Sequence, residues 1–308
     1  MIDLVPYPHP PLGGVRGNGG HRLVAVRSVS SVLSEAAPTG VRPAVSPVCH
    51  TGSMIEIPIR QSFLNTFSNC PEQARQERLG LVRSQESSDM LRGNMVHAAI
   101  EYCGVELMHT GNRVTYREAS EYMDEISSGL AGGVEVWRHE FETVVDVARK
   151  NLSVWHEECF PNLMVPTGVE QSFRTTLDER DGVRLVLTGT ADWVQDDLIL
   201  DWKNPSREYL PWEQKRWNLQ ASVYCFAFGI PDFDLVALVN GKVQVIRIER
   251  DGSEVEALRD LCWSVAALIQ SDLKVWPKRW AGWHCSPKWC PVWQAGECRG
   301  KHLGSTPW

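Results

Sequence analysis

Two strand-like runs joined by a pair of aspartates constrain this chain more than any other feature. The runs Val183–Val194 and Leu198–Lys203 are rich in Val, Leu and Ile, and a Gln-Asp-Asp segment separates them. A two-residue turn at 196–197 predicts an antiparallel hairpin, in which each residue before the turn pairs with its mirror position after it. Asp192 then lies directly opposite Asp201. The sequence therefore predicts two carboxylates that face each other across adjacent strands.

Two facing carboxylates are electrostatically costly. Opposed strand positions bring Cβ atoms to ~4.5–5.5 Å, and two charges ~5 Å apart repel by roughly 3 kcal/mol at an effective dielectric of ~20. Lys203 lies two residues beyond Asp201, on the same strand face, and offsets part of this repulsion. A hard divalent cation with oxygen ligands offsets more, which favours Mg²⁺ or Mn²⁺. The alternative is a solvated hairpin, but the apolar runs at 185–187 and 198–200 are typical of buried strands.

The order of helical and strand-like patterns predicts the fold class. Four helical patterns come first, at 62–81, 88–109, 118–130 and 134–159. Three sequential antiparallel strands follow, at 169–177, 183–194 and 198–203. The rest is a helix between Pro211 and Gly229, a hairpin at Asn240-Gly241 and a helix that ends near Gln270. This order predicts an α+β or mixed α/β core with a central mixed sheet and N-terminal helices.

Composition divides the chain near residue 53. Residues 1–53 hold seven Gly, seven Pro and only two carboxylates, which is typical of a flexible tail. Residues 54–308 are expected to form one domain, with a helical part at 54–165, a sheet core at 166–250 and a helix with a cysteine-rich end at 251–308.

Overall charge and hydrophobicity exclude several classes of protein. The hydrophobic fraction of 43% excludes wholesale disorder, and the net charge of −7 excludes a uniformly basic nucleic-acid coat. The sequence has no run of eighteen apolar residues and no N-terminus resembling a secretory signal. We therefore expect a cytoplasmic protein that does not cross a membrane.

Five short motifs around the hairpin carry a family resemblance. They occur in the order Arg92–His97, Val169-Glu170-Gln171, Gly189-Thr190-Ala191-Asp192, Asp201-Trp202-Lys203 and Gln220–Tyr224. This series resembles the RecB-like branch of the PD-(D/E)XK nuclease superfamily, whose motifs are a helix with His, a strand with Glu, G-x-x-D, D-x-K and Q-x-x-x-Y. Each motif alone is common, but five in order are a strong signal. The resemblance implies a restriction-endonuclease-like core and the hydrolysis of phosphodiester bonds.

The resemblance also implies a metal site. Asp192 and Asp201, with the carbonyl of Trp202 and the imidazole of His97, would hold the cation. Lys203 would position or polarise the attacking water. The cation would make that water a nucleophile near neutral pH, because metal binding lowers the pKa of water. For the histidine, a buried residue satisfied within an apolar helix is the alternative.

Three further side chains enter the predicted site through the resemblance. Glu170 would contact the metal or the water, although its strand register stays open at the level of sequence. Gln220 and Tyr224 lie four residues apart on one helix face. They would bind DNA or line the active site, and core packing is the alternative.

Three closely spaced cysteines near the C-terminus predict a metal-binding loop. Cys285, Cys290 and Cys298 lie within fourteen residues that also contain Pro and Gly. One subset of the family, including CRISPR-associated adaptation exonucleases and AddB-type subunits, combines three such cysteines with one before the nuclease core, and Cys70 matches that position. The resemblance implies a [4Fe-4S] cluster held by the four thiolates. The gaps of four and seven residues depart from the two and five more common in that subset. A tetrahedral zinc site, with His284 as another ligand, and cysteines without metal therefore stay open.

The same C-terminal segment is basic and aromatic. It contains Lys274, Lys278, Arg279, Lys288, Arg299 and Lys301 among Trp276, Trp280, Trp283, Trp289 and Trp293. Basic charge and aromatic rings bind single strands by neutralising phosphates and stacking bases, and packing of the cysteine-rich end is the alternative.

These features lead to one favoured function and two alternatives. The favoured function is a metal-dependent DNA exonuclease that acts on single-stranded or end-exposed DNA in recombination, repair, or phage- or CRISPR-type processing. The sequence contains no G-x-x-x-x-G-K-[ST] motif, so a helicase or recombination partner is expected to open the DNA. One alternative is a non-catalytic DNA-binding or recombination scaffold that retains the fold and the cluster. The other is a zinc-ribbon interaction protein.

Overall fold

The computed structural model describes residues 54–279, residue 282 and residues 284–300. The predicted tail at 1–53, the two tryptophans at 280 and 283, and Lys301 lie outside the described residues. The described residues belong to one compact unit. The predicted boundary at 53–54 and the internal subdivision stay predictions.

A six-stranded mixed sheet forms the centre of the fold. Its strands are β1 Ile55–Arg60, β2 Gly168–Arg180, β3 Val183–Val194, β4 Leu198–Lys203, β5 Asp232–Leu238 and β6 Val243–Glu249. The order is β1-β3-β4-β5-β6, and β2 also pairs with β3. The pairs β1·β3 and β4·β5 are parallel, whereas the other three are antiparallel. The predicted mixed α/β fold with a central mixed sheet is confirmed.

Helices lie both before and after the central strands along the chain. Those before β2 are α1 Gln61–Asn69, α2 Pro71–Arg78, α3 Ser88–Thr110, α4 Tyr116–Ala131 and α5 Phe141–Val154. Those after β4 are α6 Pro211–Gln214, α7 Asn218–Phe228, α8 Val255–Gln270 and α9 Pro291–Gln294. Short helical turns extend α5 through Trp155–Cys159 and Phe160–Asn162, and another joins α6 to α7 at Lys215–Trp217. Among the described residues, no helix combines the length and apolarity that crossing a membrane would require.

Three helices predicted from pattern alone differ from the observed ones. The helix expected at 62–81 breaks at Cys70, which is extended with φ −158° and ψ 106°. Pro71 explains the break, because proline disfavours helical backbone in the residue before it and suits the first position of a new helix. The helix expected at 134–159 begins only at Phe141, and the one expected at 211–229 is interrupted at Lys215–Trp217.

Strand β1 lies before the first predicted helix, in the 54–165 part of the chain that was expected to be helical. Ile57 and Ile59 are buried, while Glu56, Pro58 and Arg60 are exposed, which is the alternation of a strand. Proline removes a ladder donor and lowers strand propensity. The parallel partner of β1 is the first half of β3, more than a hundred residues away, so no local signal indicates the pairing.

Each face of the sheet has its own hydrophobic core. Buried side chains of α1, α7 and α8 pack on one face, against residues such as Leu187, Ile199 and Leu235. Helices α3, α4 and α5 pack on the other face, against Trp193 and Trp202. Apolar side chains on both faces explain why the central strands read as continuous hydrophobic runs.

Candidate metal and catalytic site

The candidate site lies where the central sheet splits. Along one edge, β3 pairs first with β1, through residues 183–188, and then with β4, through Trp193 and Val194 only. The partners of those two residues, Leu200 and Ile199, are the ones that the predicted hairpin requires. Ladder pairing therefore ends one residue before Asp192 and Asp201. The two carboxylates lie at the point where β3 and β4 separate.

Asp201 is the most buried charged group of the site, with 2% of its surface exposed. Its Oδ1 accepts a hydrogen bond of 2.6 Å from Nε2 of Gln220, and its Oδ2 forms an ion pair with Nζ of Lys203. Burial raises the pKa of the Asp201 carboxyl, and the charge of Lys203 opposes that shift. Burial also acts to lower the pKa of Lys203, but Asp201 and Asp192 outweigh it and raise that pKa. Lys203 is therefore an ammonium ion at neutral pH.

Asp192 connects strand β3 to strand β4 and to helix α3. Its Oδ2 accepts a hydrogen bond of 2.9 Å from the backbone N–H of Trp202 and lies 3.5 Å from Nδ1 of His97. The amide of Trp202 thus fixes the Asp192 carboxylate after the ladder has ended. The predicted role of the Trp202 carbonyl as a metal ligand stays a prediction.

Glu170, His97 and Asp192 form a group of three side chains that could together hold a metal ion. Val169 pairs with Trp193 and the residue after Glu170 pairs with Ala191, so Glu170 lies across from Asp192. Its own φ of +46° takes it out of the regular ladder. One ligand atom from each of Glu170, His97 and Asp192 lies within 4.8 Å of the other two. The two carboxylates are ligands of the kind that suits Mg²⁺ or Mn²⁺.

The electrostatics of Glu170 also point to a cation site. Burial, followed by the negative charges of Asp192 and Glu101, raises the pKa of the Glu170 carboxyl to about 7. A cluster of carboxylates whose charges repel each other inside the protein is a common feature of functional sites. Asp201 stands outside the group of three, and its two oxygens are engaged by Lys203 and Gln220.

Tyr224 lies on the same helix as Gln220 and supports the strand that carries Asp192. Its hydroxyl donates a hydrogen bond of 2.7 Å to the carbonyl of Thr190, and burial raises the pKa of its phenol. Its ring packs edge-to-face on Phe173 of β2. A Cβ at Gly189 would lie 2.6 Å from the Phe173 ring, so glycine is required there for the ring to approach the strand. In this structure Tyr224 positions the strand before Asp192.

Two further residues hold the loop that follows Lys203: Arg92, which the first motif contains but to which the sequence motifs assigned no role, and Asn151, which was missed from the sequence. Nη2 of Arg92 donates to the carbonyl of Asn204 at 2.9 Å, and Nδ2 of Asn151 donates to Oδ1 of Asn204 at 3.0 Å. Asn151 is fully buried and also bonds the carbonyl of Leu238 and the N–H of Gly241, both at 3.0 Å. A polar residue on the apolar face of α5, next to Leu152, was the signal that could have indicated this role.

The four predicted cluster cysteines line one cavity. Cys70 lies at the break between α1 and α2, whereas Cys285, Cys290 and Cys298 belong to residues 284–300, which together with Cys70 we call the cysteine clasp. Each of Cys285 and Cys290 is close enough to Cys70 and Cys298 for their charges to raise its pKa, although burial is the larger cause. His284 lines the same cavity.

The spacing of these sulfur atoms bears on the kind of metal group. Zn–S bonds of ~2.3 Å in a tetrahedron place sulfur atoms roughly 3.8 Å apart. Among the described residues, no three ligand atoms of the clasp come within 4.8 Å of one another. A [4Fe-4S] cluster takes one thiolate on each of four irons and spaces them more widely. The [4Fe-4S] cluster and the zinc site both stay predictions for the clasp.

Glu72 ties helix α2 to the chain that leads into the clasp. Its carboxylate accepts hydrogen bonds from the backbone N–H of Trp276 at 2.7 Å, from Arg75 at 2.8 Å and from Gln76 at 2.9 Å. Its own N–H donates to the carbonyl of Pro277 at 3.1 Å. Burial acts to raise the pKa of Glu72, but these hydrogen bonds outweigh burial and lower it.

Comparison with known proteins assigns the family. A profile of the PD-(D/E)XK nuclease superfamily matches residues 59–295. No curated protein matches the chain. Among solved structures, the crystal structure of SSO0001 is 16% identical over 78% of this chain and 96% of its own, with a TM-score of 0.36. An alkaline exonuclease (LHK-Exo) from Laribacter hongkongensis is 13% identical over 60% of this chain and 88% of its own, with a TM-score of 0.29.

The profile match and the site geometry agree with each other, and neither depends on the two solved structures. The matched residues include every member of the site, from His97 on α3 to Tyr224 on α7. This chain belongs to the PD-(D/E)XK nuclease superfamily.

Proposed function

We propose that this protein is a metal-dependent DNA nuclease, and more specifically an exonuclease that hydrolyses phosphodiester bonds at DNA ends or in single strands. One observation carries the proposal. His97, Glu170 and Asp192 converge where the sheet splits, beside the ion pair of the buried Asp201 with Lys203. Membership in a nuclease superfamily supports the same reaction class.

The chain offers the groups that this reaction needs. His97, Glu170 and Asp192 would hold Mg²⁺ or Mn²⁺, with Asp201 and the carbonyl of Trp202 beside them. When bound, such a cation acts as a Lewis acid and lowers the pKa of its water toward neutrality.

Lys203 supplies a positive charge that is present in the site whether or not a metal ion is bound. Its ammonium contacts Asp201 and is placed to orient a water molecule and to stabilise negative charge that develops on the phosphate. Gln220 holds Asp201 from the other side, so the carboxylate cannot turn away.

Cleavage of end-labelled single-stranded DNA with Mn²⁺ tests this proposal. We expect Asp201→Asn and Lys203→Met to lower the rate by at least ~10²-fold, the usual cost of removing a transition-state stabiliser. Asp197→Asn is the matched control, because this exposed aspartate lies in the turn of the same hairpin. Absence of cleavage by the wild type, or equal rates for the wild type and Asp201→Asn, would contradict the proposal.

The form of the DNA tests the exonuclease part separately. An exonuclease degrades linear single strands from an end and leaves circular single strands intact. Duplexes with single-stranded overhangs should be cut faster than blunt duplexes, in keeping with a helicase or recombination partner that opens the ends. Cleavage of circles would identify an endonuclease instead.

We further infer that the cysteine clasp holds a [4Fe-4S] cluster that joins the N-terminal helices to the C-terminal end. The cavity lined by Cys70, Cys285, Cys290 and Cys298 supports this inference. Anaerobically purified protein should be brown and contain iron, and Cys298→Ala should lose most of that iron. Cys262→Ala should keep the iron, because Cys262 lies on the buried face of α8. A colourless protein loaded with zinc would overturn the assignment.

A further inference from the structure

A broad groove runs beside the candidate site and is not used by the proposed chemistry. Its lining comes from the start of α3, the loop that follows β4, the α6 region and the cysteine clasp. Its volume of about 1070 Å³ exceeds the roughly 300–1,000 Å³ of most small-molecule pockets. A groove of this size has room for a segment of a polymer.

The groove lining is basic. It contains two carboxylates, Asp89 and Glu213, and both are already ion-paired. Asp89 pairs with Arg92 and Arg138, and Glu213 pairs with Arg207. Two further cations of the lining, at 216 and 288, give the groove an excess of positive charge although the whole chain has a net charge of −7. An excess of this kind attracts a polyanion.

Each of those two further cations lies against an aromatic ring. Arg216 lies 4.8 Å from the ring centre of Tyr209 and 4.5 Å from that of Trp217. Nζ of Lys288 lies 4.7 Å from the ring centre of Trp289. Among the described residues, neither Arg216 nor Lys288 forms an ion pair with a carboxylate. Both cations can therefore turn to a phosphate without breaking an ion pair.

Trp289 is the aromatic ring best placed to meet a base. It is 45% exposed, it lines the groove, and the guanidinium of Arg138 lies 5.1 Å from its ring centre. Large exposed aromatic rings beside cations are the means by which proteins stack nucleobases and hold their phosphates. A duplex hides its base faces, so this arrangement favours a single strand.

The groove leads to the candidate catalytic site. Arg92 and Asn204 line it and are joined by a hydrogen bond of 2.9 Å. Asn204 directly follows Lys203, and Arg92 lies on α3 little more than one turn before His97. The groove lining also includes Pro291 of α9, next to Cys290. A strand lying in the groove would therefore contact residues of the clasp and Asn204, the residue that follows Lys203.

We propose that this groove binds single-stranded DNA and guides it to the Lys203 site, with Trp289 as the stacking platform and Lys288 and Arg216 as phosphate contacts. The choice of DNA as the polymer rests on the proposed nuclease function. The clasp is, in this arrangement, one wall of the substrate path.

Binding measured without cleavage tests the groove directly. The affinity of a short fluorescein-labelled oligothymidine is followed by anisotropy in EDTA over a range of salt concentrations. Trp289→Ala should weaken binding roughly 5- to 100-fold, which is the usual effect of losing one stacked base. Lys288→Gln and Arg216→Gln should each make the salt dependence shallower by about 0.7 in slope, the contribution of one phosphate contact on a single strand.

Three controls separate a binding role from a structural one. Trp137→Ala is matched in exposure, at 46% against 45%, and Trp137 lines a different cavity. It should bind like the wild type. Trp289→Phe should restore most of the affinity, because it keeps an aromatic face. Melting temperatures of all variants show whether any loss of binding reflects unfolding.

The outcomes distinguish this inference from the proposed function. Three results would overturn the proposal that the groove binds single-stranded DNA. They are wild-type affinity in a folded Trp289→Ala variant, an equal loss of affinity in Trp137→Ala, and equal competition by a blunt duplex. If the wild type cleaves DNA while the groove variants bind normally, the nuclease proposal stands and the groove fails. If the groove variants lose binding as expected but no DNA is cleaved, the groove stands and the nuclease proposal fails.

Discussion

At the scale of single residues, the site depends on a buried carboxylate held between a cation and an amide. Asp201 contacts Lys203 on one side and Gln220 on the other. An isolated buried carboxylate would take up a proton, and these two partners keep it charged and oriented. The residue-scale account therefore makes Gln220 a positioning residue.

Gln220→Met tests that role, because methionine has a similar size and no donor for Asp201. Loss of a supporting hydrogen bond of this kind costs ~10–100-fold in metal affinity or activity. We expect the Mn²⁺ concentration for half-maximal cleavage to rise, or the maximal rate to fall, within that range. Gln270→Met on the exposed end of α8 is the control and should behave like the wild type. Equal behaviour of both variants would remove Gln220 from the site.

Asp234 gives a pH-dependent prediction away from the site. Burial raises the pKa of this β5 carboxyl from 3.8 to about 6, and Arg247 offsets only part of the shift. The folded protein then holds the proton more tightly than the unfolded chain, so stability falls as pH rises from about 4 to 6. Asp234→Asn should be more stable than the wild type at pH 7, on the order of 2 kcal/mol, and equally stable near pH 4. Urea unfolding at both pH values measures the difference in stability. Asp260→Asn is the control, because Asp260 is an exposed residue of α8.

Glu170 shows where residue-level prediction from sequence ends. The alternation of β2 identifies a strand, but it does not say which residues face Asp192. The answer depends on φ of +46° at Glu170 and on a register shift between Thr176 and Asp178. A left-handed conformation costs a non-glycine residue ~1–2 kcal/mol, and only tertiary contacts select it.

At the scale of elements, helix α3 must lie close to the sheet for His97 to reach Asp192. Gly104, two turns after His97, permits this approach. A Cβ there would lie 2.6 Å from the ring of Trp193 and 2.8 Å from Val169. The helix therefore carries both His97 and the contact that sets its distance from the sheet.

Gly104→Ala and Gly93→Ala on the same helix should have opposite effects. The added methyl at Gly104 overpacks the contact with Trp193, and we expect a loss of ~1–3 kcal/mol in the free energy of unfolding. At Gly93 nothing lies within 4 Å of the added Cβ, so alanine should stabilise the helix by ~0.5–1 kcal/mol. Chemical denaturation measures both. A stabilising Gly104→Ala would contradict the described packing of α3.

Elements with local determinants could be predicted, whereas those set by distant contacts could not. The β3–β4 hairpin follows from a two-residue turn and two apolar runs, so its register was predictable. Strand β1 pairs with residues more than a hundred positions away, and its Pro58 weakens the local signal. The break at Cys70 was indicated by Pro71, but the length of the surrounding helical pattern outweighed that signal.

At the scale of the whole molecule, the two ends of the described chain are held together near the clasp. Glu72 makes this link through hydrogen bonds with the backbone of Trp276 and Pro277, while Arg75 and Gln76 of its own helix also donate to its carboxylate. A buried carboxylate with three donors is strongly bound, and its removal leaves those donors without partners. Apolar contacts add to this link, since Phe67 packs edge-to-face on Trp276 and Val82 packs with Cys290 and Val292. Glu72 is the buried polar group among these contacts.

Glu72→Ala tests this closure. We expect a loss of roughly 2–4 kcal/mol in the free energy of unfolding, because hydrogen bonds to a buried charge are lost together. Trypsin should also cut faster at Lys274 and Lys278, which flank Trp276. Glu77→Ala is the control, since Glu77 contacts only Gln73 among the side-chain hydrogen bonds described for it. Unchanged stability and unchanged cleavage would show that the clasp is closed by other contacts.

The most direct measurement of the central claim is manganese anomalous scattering from crystals grown with Mn²⁺. We predict a peak in contact with His97, Glu170 and Asp192, and we predict its loss in Asp192→Asn crystals. A crystal saturated with Mn²⁺ that shows no peak between these residues, or a peak that persists in Asp192→Asn, would contradict the claim that the separating strands hold a divalent cation.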